Sequence, residues 1–132
     1  MADPQHWLIT GASSGIGRLA AERLQQQGHR LTVICRSQQR ADQTLGWLTG
    51  ESRLLLADLA DLDQVQAVGQ ALRQRDDALD GLLLNAGLQY AGHRQVRWSA
   101  QGLELTIAVN HLAHQRLAMD LLPLLLRSAA PR

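Results

Sequence analysis

Hydrophobic positions along this chain follow two alternating rhythms. Short, nearly unbroken apolar runs occur at His6 to Thr10, at Arg30 to Cys35 around Leu31, Val33 and Ile34, at Arg53 to Ala57, and at Leu82 to Leu84. Each has the length of a buried strand. Between them, apolar residues recur at three- and four-residue spacing, the period of one helix face. Ile16, Leu19, Ala20, Leu24 and Gln27 predict a first helix with Gly28 as its stop. Ser37 predicts the cap of a second, with Ala41, Leu45 and Leu48 inward before Gly50. Asp61 with Gln64 resembles a capping box ahead of a third stripe, Leu62, Val65, Val68 and Leu72. From Ser99 onward, Leu103, Ile107, Ala108, Leu112, Leu117 and Leu121 predict one long helix, which Pro123 should kink or break before a loop or cut end at Ser128 to Arg132.

Apolar strands that alternate with amphipathic helices specify an α/β architecture in which a parallel sheet is covered on both faces. Right-handed crossovers put four such strands in the order 3-2-1-4. The expectation is a Rossmann-like doubly wound parallel sheet, truncated after four strands and forming a single domain over residues 1–132 that ends before a fifth.

Composition narrows the function more than the fold. A chain of 132 residues with 45% hydrophobic and 19% charged residues can build one core. A formal charge of +1 gives no field that would favour a nucleic acid partner. All the basic residues are Arg and none is Lys, so no chemistry that needs a lysine amine is available. The single cysteine, Cys35, cannot form an internal disulfide and fits a reducing, cytoplasmic setting. The opening Met1-Ala2-Asp3-Pro4 is unlike a signal peptide, and the leucine-rich run from Leu121 to Leu126 is too short to span a bilayer. His111 and His114 lie three apart on a predicted helix without the cysteines or acids that would complete a metal site, and are expected to be polar helix positions.

The most informative segment joins the first strand to the first helix. Gly11, Gly15 and Gly17 in a G-x-x-x-G-x-G spacing let backbone N–H groups and the positive end of a helix dipole approach a pyrophosphate, because no Cβ stands in the way. The whole stretch Thr10-Gly11-Ala12-Ser13-Ser14-Gly15-Ile16-Gly17 resembles the cofactor motif of the short-chain dehydrogenase/reductase family. Asp58-Leu59 after the third strand resembles that family's adenine-ring contact. Asn85-Ala86-Gly87 after the fourth resembles its NAG motif, and Val109-Asn110-His111 the site of its active-site Asn. Glu104 to Leu117 is most similar to retinol-dehydrogenase-like and protochlorophyllide-reductase-like members. The resemblance covers nearly the whole chain. It implies a nicotinamide cofactor held by Gly11, Ser13, Ser14, Gly15, Ile16, Gly17, Asp58, Leu59, Asn85, Ala86 and Gly87. The two serines are then donors to the cofactor rather than nucleophiles, since neither has a partnered base in the sequence.

Which nicotinamide cofactor depends on the end of the second strand, where an acid would bind the adenosine ribose hydroxyls and repel a 2′-phosphate. Here that strand ends in Cys35-Arg36-Ser37. Arg36 offers a fork of donors with the Ser37 hydroxyl beside it, so NADP(H) is expected over NAD(H). The family resemblance also implies a catalytic Tyr, Lys and Ser on elements that would follow residue 132, and of that machinery only Asn110 can be mapped. The sole tyrosine, Tyr90, has Arg94 four residues on, but it lies in the loop after the fourth strand, one βα unit too early. The chain is therefore expected to carry the cofactor-binding half of an oxidoreductase acting on a carbonyl or alcohol, and to bind without turnover on its own. Two other readings stay open: a regulatory NADP-binding module, and an inert truncation whose fourth strand exposes an unpaired edge. The long helix makes a homo-oligomer of the parent enzyme plausible by the same resemblance.

Overall fold

The computed structural model describes residues 3–75, 78–90, 92 and 94–132, with only the backbone at Leu45, so the inward role expected for that side chain lies outside the described residues. The strands are β1 (His6–Thr10), β2 (Arg30–Cys35), β3 (Arg53–Leu56) and β4 (Gly81–Leu84). The helices between them are α1 (Gly15–Gln26), α2 (Gln38–Leu45) and α3 (Leu62–Arg75). After β4 and a long loop come α4 (Leu105–Ile107), a π-helical turn (Ala108–Leu112) and α5 (Ala113–Leu125), which follow one another without a break. All strand pairs are parallel and the order is β3-β2-β1-β4, as the crossover rule requires.

Successive residues of each strand face opposite sides of the sheet, and this divides the core in two. Leu8, Ile34, Leu55 and Leu82 join Val65, Val68 and Leu72 of α3 and Ala113, Leu117, Leu121 and Leu124 of α5 on one face. Ile9, Val33, Leu54 and Leu83 join Ala21 and Leu24 of α1 with Trp47 and Leu48 on the other. Leu8, Leu117 and Leu121 are fully buried, each contributing about 1.5–3 kcal/mol relative to an exposed side chain. Two glycines permit close contacts between the core elements. A Cβ on Gly69 would stand 2.9 Å from Asp120 Cβ, so the glycine lets α3 and α5 approach, and a Cβ on Gly81 would collide with the Trp7 ring.

Three expectations need correction. The inward face of α1 is Gly17 and Ala21, with Leu24 half-buried, whereas Ile16 and Leu19 are 81% and 67% exposed. The helix is rotated because Gly17 presses against the Gly11 carbonyl and the Asn85 amide. Contact distance, rather than apolar periodicity, sets its phase. The long helix begins at Leu105, not Ser99. Residues 99–102 form a turn in which Gly102 adopts a positive φ of 72°, and they dock on the start of α3 through Ala100 N–H to Ala60 O (3.0 Å) and Leu62 N–H to Gln101 Oε1 (3.0 Å). Glu104 then caps α4, accepting from the Thr106 and Ile107 N–H groups. Nor does Pro123 break α5, which continues to Leu125. The proline sits in the last turn, where the lost N–H affects a single bond while Leu121 and Leu124 hold the helix on the sheet.

Other local expectations hold with changed detail. Asp61 accepts from Asp63 N–H at the start of α3, but Gln64 Oε1 reaches past it to the Asp58 N–H (2.9 Å). The terminal segment has neither helix nor strand, as expected, and lies along the outer edge of β4. Arg132 N–H donates to Asp80 O and Leu82 N–H to Arg132 O, both at 2.9 Å, so that edge is partly paired. Ser128 Oγ donates to Asp80 Oδ1 at 2.6 Å, fixing the approach. Among the described residues no helix is long and apolar enough to cross a membrane.

Because a methyl at Gly81 has to displace the Trp7 ring, Gly81→Ala is expected to cost about 1–3 kcal/mol, read as a lower urea midpoint at unchanged slope. Gly46→Ala, whose added Cβ meets nothing within 4 Å, should leave the midpoint unchanged or raise it. Equal midpoints for wild type and Gly81→Ala would contradict the packing described.

Candidate functional site

A groove of about 740 Å³ opens at the carboxyl ends of the strands, beside the point where the order reverses between β1 and β4. Open α/β sheets bind ligands at such a switch point. Its wall contains Gly11, Ser13, Ser14, Gly15, Ile16, Gly17, Arg36, Asp58, Leu59, Asn85, Ala86 and Gly87, all singled out in the sequence. Ser37 and Asn110 are not on that wall.

The glycine-rich turn is shaped by close approach. Gly11 has φ +73° and Gly15 φ +58°, values that favour glycine. A Cβ at Gly11 would lie 2.7 Å from Ala86 Cα, and one at Gly17 would overlap the Gly11 carbonyl. Asn85 occupies the remaining space. Its Nδ2 donates to Thr10 O (3.3 Å) and Gly11 O (3.2 Å), while the Asn85 and Ala86 backbone N–H groups donate to Thr10 Oγ1 at 3.0 Å each. The end of β4 is thus tied to the end of β1. At the N-terminus of α1, Ser14 makes no side-chain capping bond, so the first-turn N–H groups keep their donor capacity beside the groove.

At the end of β2 the groove is cationic. Arg36 and Arg40 both line it and both are exposed. The Ser37 hydroxyl accepts from Arg40 N–H at 3.4 Å as the cap of α2, which leaves its own proton to donate. Arg40 is a further cation here, with Nη1 donating to Ser13 Oγ at 3.3 Å. Sequence reasoning missed Arg40, although its position four residues after Arg36 puts it on the first turn of the capped helix. Cys35 is buried, and burial pushes its thiol pKa up, partly offset by the Thr44 hydroxyl and the Arg40 charge. The Asp58 carboxylate is turned onto Ala60 N–H (2.9 Å), closing the loop after β3.

The loop after β4 is clamped by the helix that follows it. Asn110 Oδ1 accepts from Leu88 N–H (2.8 Å) and its Nδ2 donates to Leu88 O (2.9 Å), so both ends of the amide are used. Asn110 lies in the π-turn, where Ala113 N–H donates to Ala108 O five residues back; such widened turns are frequent at functional sites. His114 is not the ordinary polar helix position expected. It is 7% exposed, with Nε2 2.9 Å from Thr10 Oγ1 and Nδ1 3.2 Å from Asn110 O. Tyr90 donates its hydroxyl proton to Glu104 and stacks under the Arg97 guanidinium, in keeping with a structural rather than a catalytic place. Among the described residues no group of histidine, cysteine and acidic side chains is placed to hold a metal.

A parallel sheet of order 3-2-1-4 with a glycine-rich βα turn at its switch point is the architecture of Rossmann-like α/β proteins. The chain belongs to the short-chain dehydrogenase family of oxidoreductases: the family model described as "short chain dehydrogenase" matches residues 5–131. It is 36% identical to a protochlorophyllide reductase of Avena sativa over 94% of this chain and 41% of that protein. It is 37% identical to retinol dehydrogenase 14 of Mus musculus over 94% of this chain and 40% of that protein. A short-chain dehydrogenase from Sphingobium yanoikuyae, solved in complex with NADPH, superposes with a TM-score of 0.74 at 38% identity, covering 90% of this chain and 47% of the other. The chain thus spans about two fifths of the length of the curated relatives it matches.

The Tyr90 hydroxyl, aided by the Thr106 and Ile107 N–H groups, lowers the Glu104 pKa from 4.5 to about 2. A carboxyl whose folded pKa lies below its unfolded value contributes stability that is present above the unfolded pKa and lost as pH falls toward the folded one. The urea midpoint is therefore expected to decline between about pH 4.5 and 2, and Glu104→Gln should flatten part of that decline. A Glu104→Gln profile parallel to wild type would show that the bond is not formed in solution.

Proposed function

We propose that residues 1–132 form one domain that holds NADP(H) for a short-chain dehydrogenase/reductase, an enzyme that transfers hydride between nicotinamide and a carbonyl or alcohol substrate. The observation that carries the cofactor choice is the paired cation site at the end of β2, where Arg36 and Arg40 flank the groove and Arg40 reaches Ser13. Cys35 stands near the position of an acid that would favour NAD. Two guanidinium forks suit a 2′-phosphate monoester through charge-assisted, bidentate hydrogen bonds.

The residues present fit the rest of the dinucleotide as well. Gly11, Ser13, Ser14, Gly15, Ile16 and Gly17 would take the pyrophosphate on the first turn of α1. Asp58 and Leu59 would border the adenine, and Asn85, Ala86 and Gly87 the nicotinamide side. When bound, the cofactor supplies or accepts the hydride. Asn110 acts here by holding the Leu88 backbone, and so the loop that walls the groove. Proton transfer has no donor of the needed kind in these residues: there is no lysine, and the one tyrosine is bonded to Glu104. We therefore infer that this chain alone binds the cofactor without turning over substrate. A cytoplasmic, reducing setting agrees with its one free, buried thiol. A homo-oligomer of the parent enzyme belongs to the same proposal.

Titration of the purified chain with NADPH, followed by cofactor fluorescence, is expected to show saturable binding, and NADH to bind at least tenfold more weakly. Arg36→Ala and Arg40→Ala should each narrow the NADPH over NADH preference by about tenfold while leaving NADH affinity little changed. Gly17→Ala should weaken both cofactors together. Equal affinity for the two cofactors in wild type would remove the NADP assignment, and no saturable binding of either would remove the cofactor reading itself.

A further inference from the structure

We infer that His114 is a positioning residue that locks the cofactor groove to the π-turn bearing Asn110, by serving as a one-way hydrogen-bond connector between Thr10 and the Asn110 carbonyl. The inference rests on reading the groove as the cofactor site. It begins with proton counting at Thr10 Oγ1. That hydroxyl already accepts the Asn85 and Ala86 backbone N–H groups, both at 3.0 Å. Its own proton is then the one that lies on the 2.9 Å line to His114 Nε2. A hydroxyl has one donor and two acceptor sites, so Nε2 has to be the bare, accepting nitrogen. The ring proton therefore sits on Nδ1, where it meets the Asn110 carbonyl at 3.2 Å, a group that can only accept. Both ends demand the same tautomer. The opposite tautomer would set two protons against each other at Thr10 and two lone pairs against each other at Asn110.

Burial enforces the arrangement. Thr10 is fully buried and His114 nearly so, so neither can exchange its partner for water without cost. Burial also lowers the His114 pKa, against the opposing pull of the Asn110 carbonyl, which agrees with a neutral ring. The loop after β4 is held at two points, by Thr10 at Asn85 and Ala86 and by the Asn110 amide at Leu88. His114 joins those two holders. Without it, the Thr10 proton has no acceptor, so the hydroxyl has reason to turn and release one of its N–H donors, and the Asn110 carbonyl loses its side-chain partner. The wall of the groove then shifts although no residue touching the cofactor has changed.

Two measurements on the whole 132-residue chain test this. Long-range proton–nitrogen correlation spectra of wild type should show His114 protonated on Nδ1 and bare on Nε2, a signature that packing alone does not dictate. In a double-mutant cycle read by NADPH affinity, Thr10→Val and His114→Phe should each weaken binding about tenfold, the double variant should be no weaker than either, and Thr10→Ser should keep wild-type affinity. Far-UV circular dichroism of each variant shows whether it is folded, and the tautomer measurement needs no variant. An Nε2–H tautomer, or additive losses in folded variants, overturns the positioning role while leaving the cofactor reading intact. Wild-type chain that binds no NADPH overturns the cofactor reading and this role with it.

Discussion

The carboxyl ends of β1 and β4 meet more closely than two ordinary backbones can, and the candidate site depends on that approach. Gly11 and Gly17 leave room for each other and for the Asn85 amide, which donates to the carbonyls of Thr10 and Gly11. Thr10 Oγ1 gathers two backbone N–H groups from the opposite loop. A single Cβ at Gly17 would break this meeting. The rotation of α1 follows from it, because the helix turns its smallest residues toward the contact and leaves Ile16 at the groove and Leu19 in solvent. So does the groove, whose floor is formed by the two strand ends tied together.

Around that point the sheet acts as a divider. Alternate residues of each strand feed separate cores, one under α3 and α5 and one under α1 and the segment after α2. This arrangement requires both sides of every inner strand to be apolar, which is why the strands appear in the sequence as unbroken runs rather than alternating ones. The site itself is polar and built from backbone. Its charged part lies at the rim, where Arg36 and Arg40 are exposed. Its buried part, Thr10 and His114, is neutral and paired, as the expense of burying a charge demands. The π-turn belongs to the same design: it places Asn110 where both ends of its amide reach Leu88 and its carbonyl meets the ring one turn on.

Much of this was legible in the chain itself, for identifiable reasons. The bounds of β1 and β2, the stop at Gly28 and the cap at Ser37 were readable because strand runs, glycine stops and capping hydroxyls act within a few residues of themselves. The glycines of the turn stood out through a spacing that is itself the chemical requirement, and Asn85 and Asn110 through their resemblance to the family's motifs. Strand order followed from the handedness of crossovers, a rule indifferent to side chains. The sequence by itself therefore determined most element types and the strand order, which local periodicity and chirality set, while the glycine-rich spacing and the family resemblance marked where the groove lies.

What only the tertiary structure decided involves residues far apart in the chain whose roles depend on which neighbour arrives first. Arg40 reaches Ser13 only because the cap at Ser37 starts α2 where it does, so a second cation joins Arg36 at the groove. Residues 99–102 stand just ahead of the apolar stripe that begins at Leu103 and are held in a turn by their bonds to the start of α3. Pro123 is tolerated because tertiary burial of its neighbours outweighs one absent N–H. His114, 104 residues from Thr10, acquired its partner only when β1 and α5 were packed on each other. A hydrogen-bonding group can accept or donate only so many times, and the folded arrangement of competing partners, which no local pattern encodes, settles which bonds it makes.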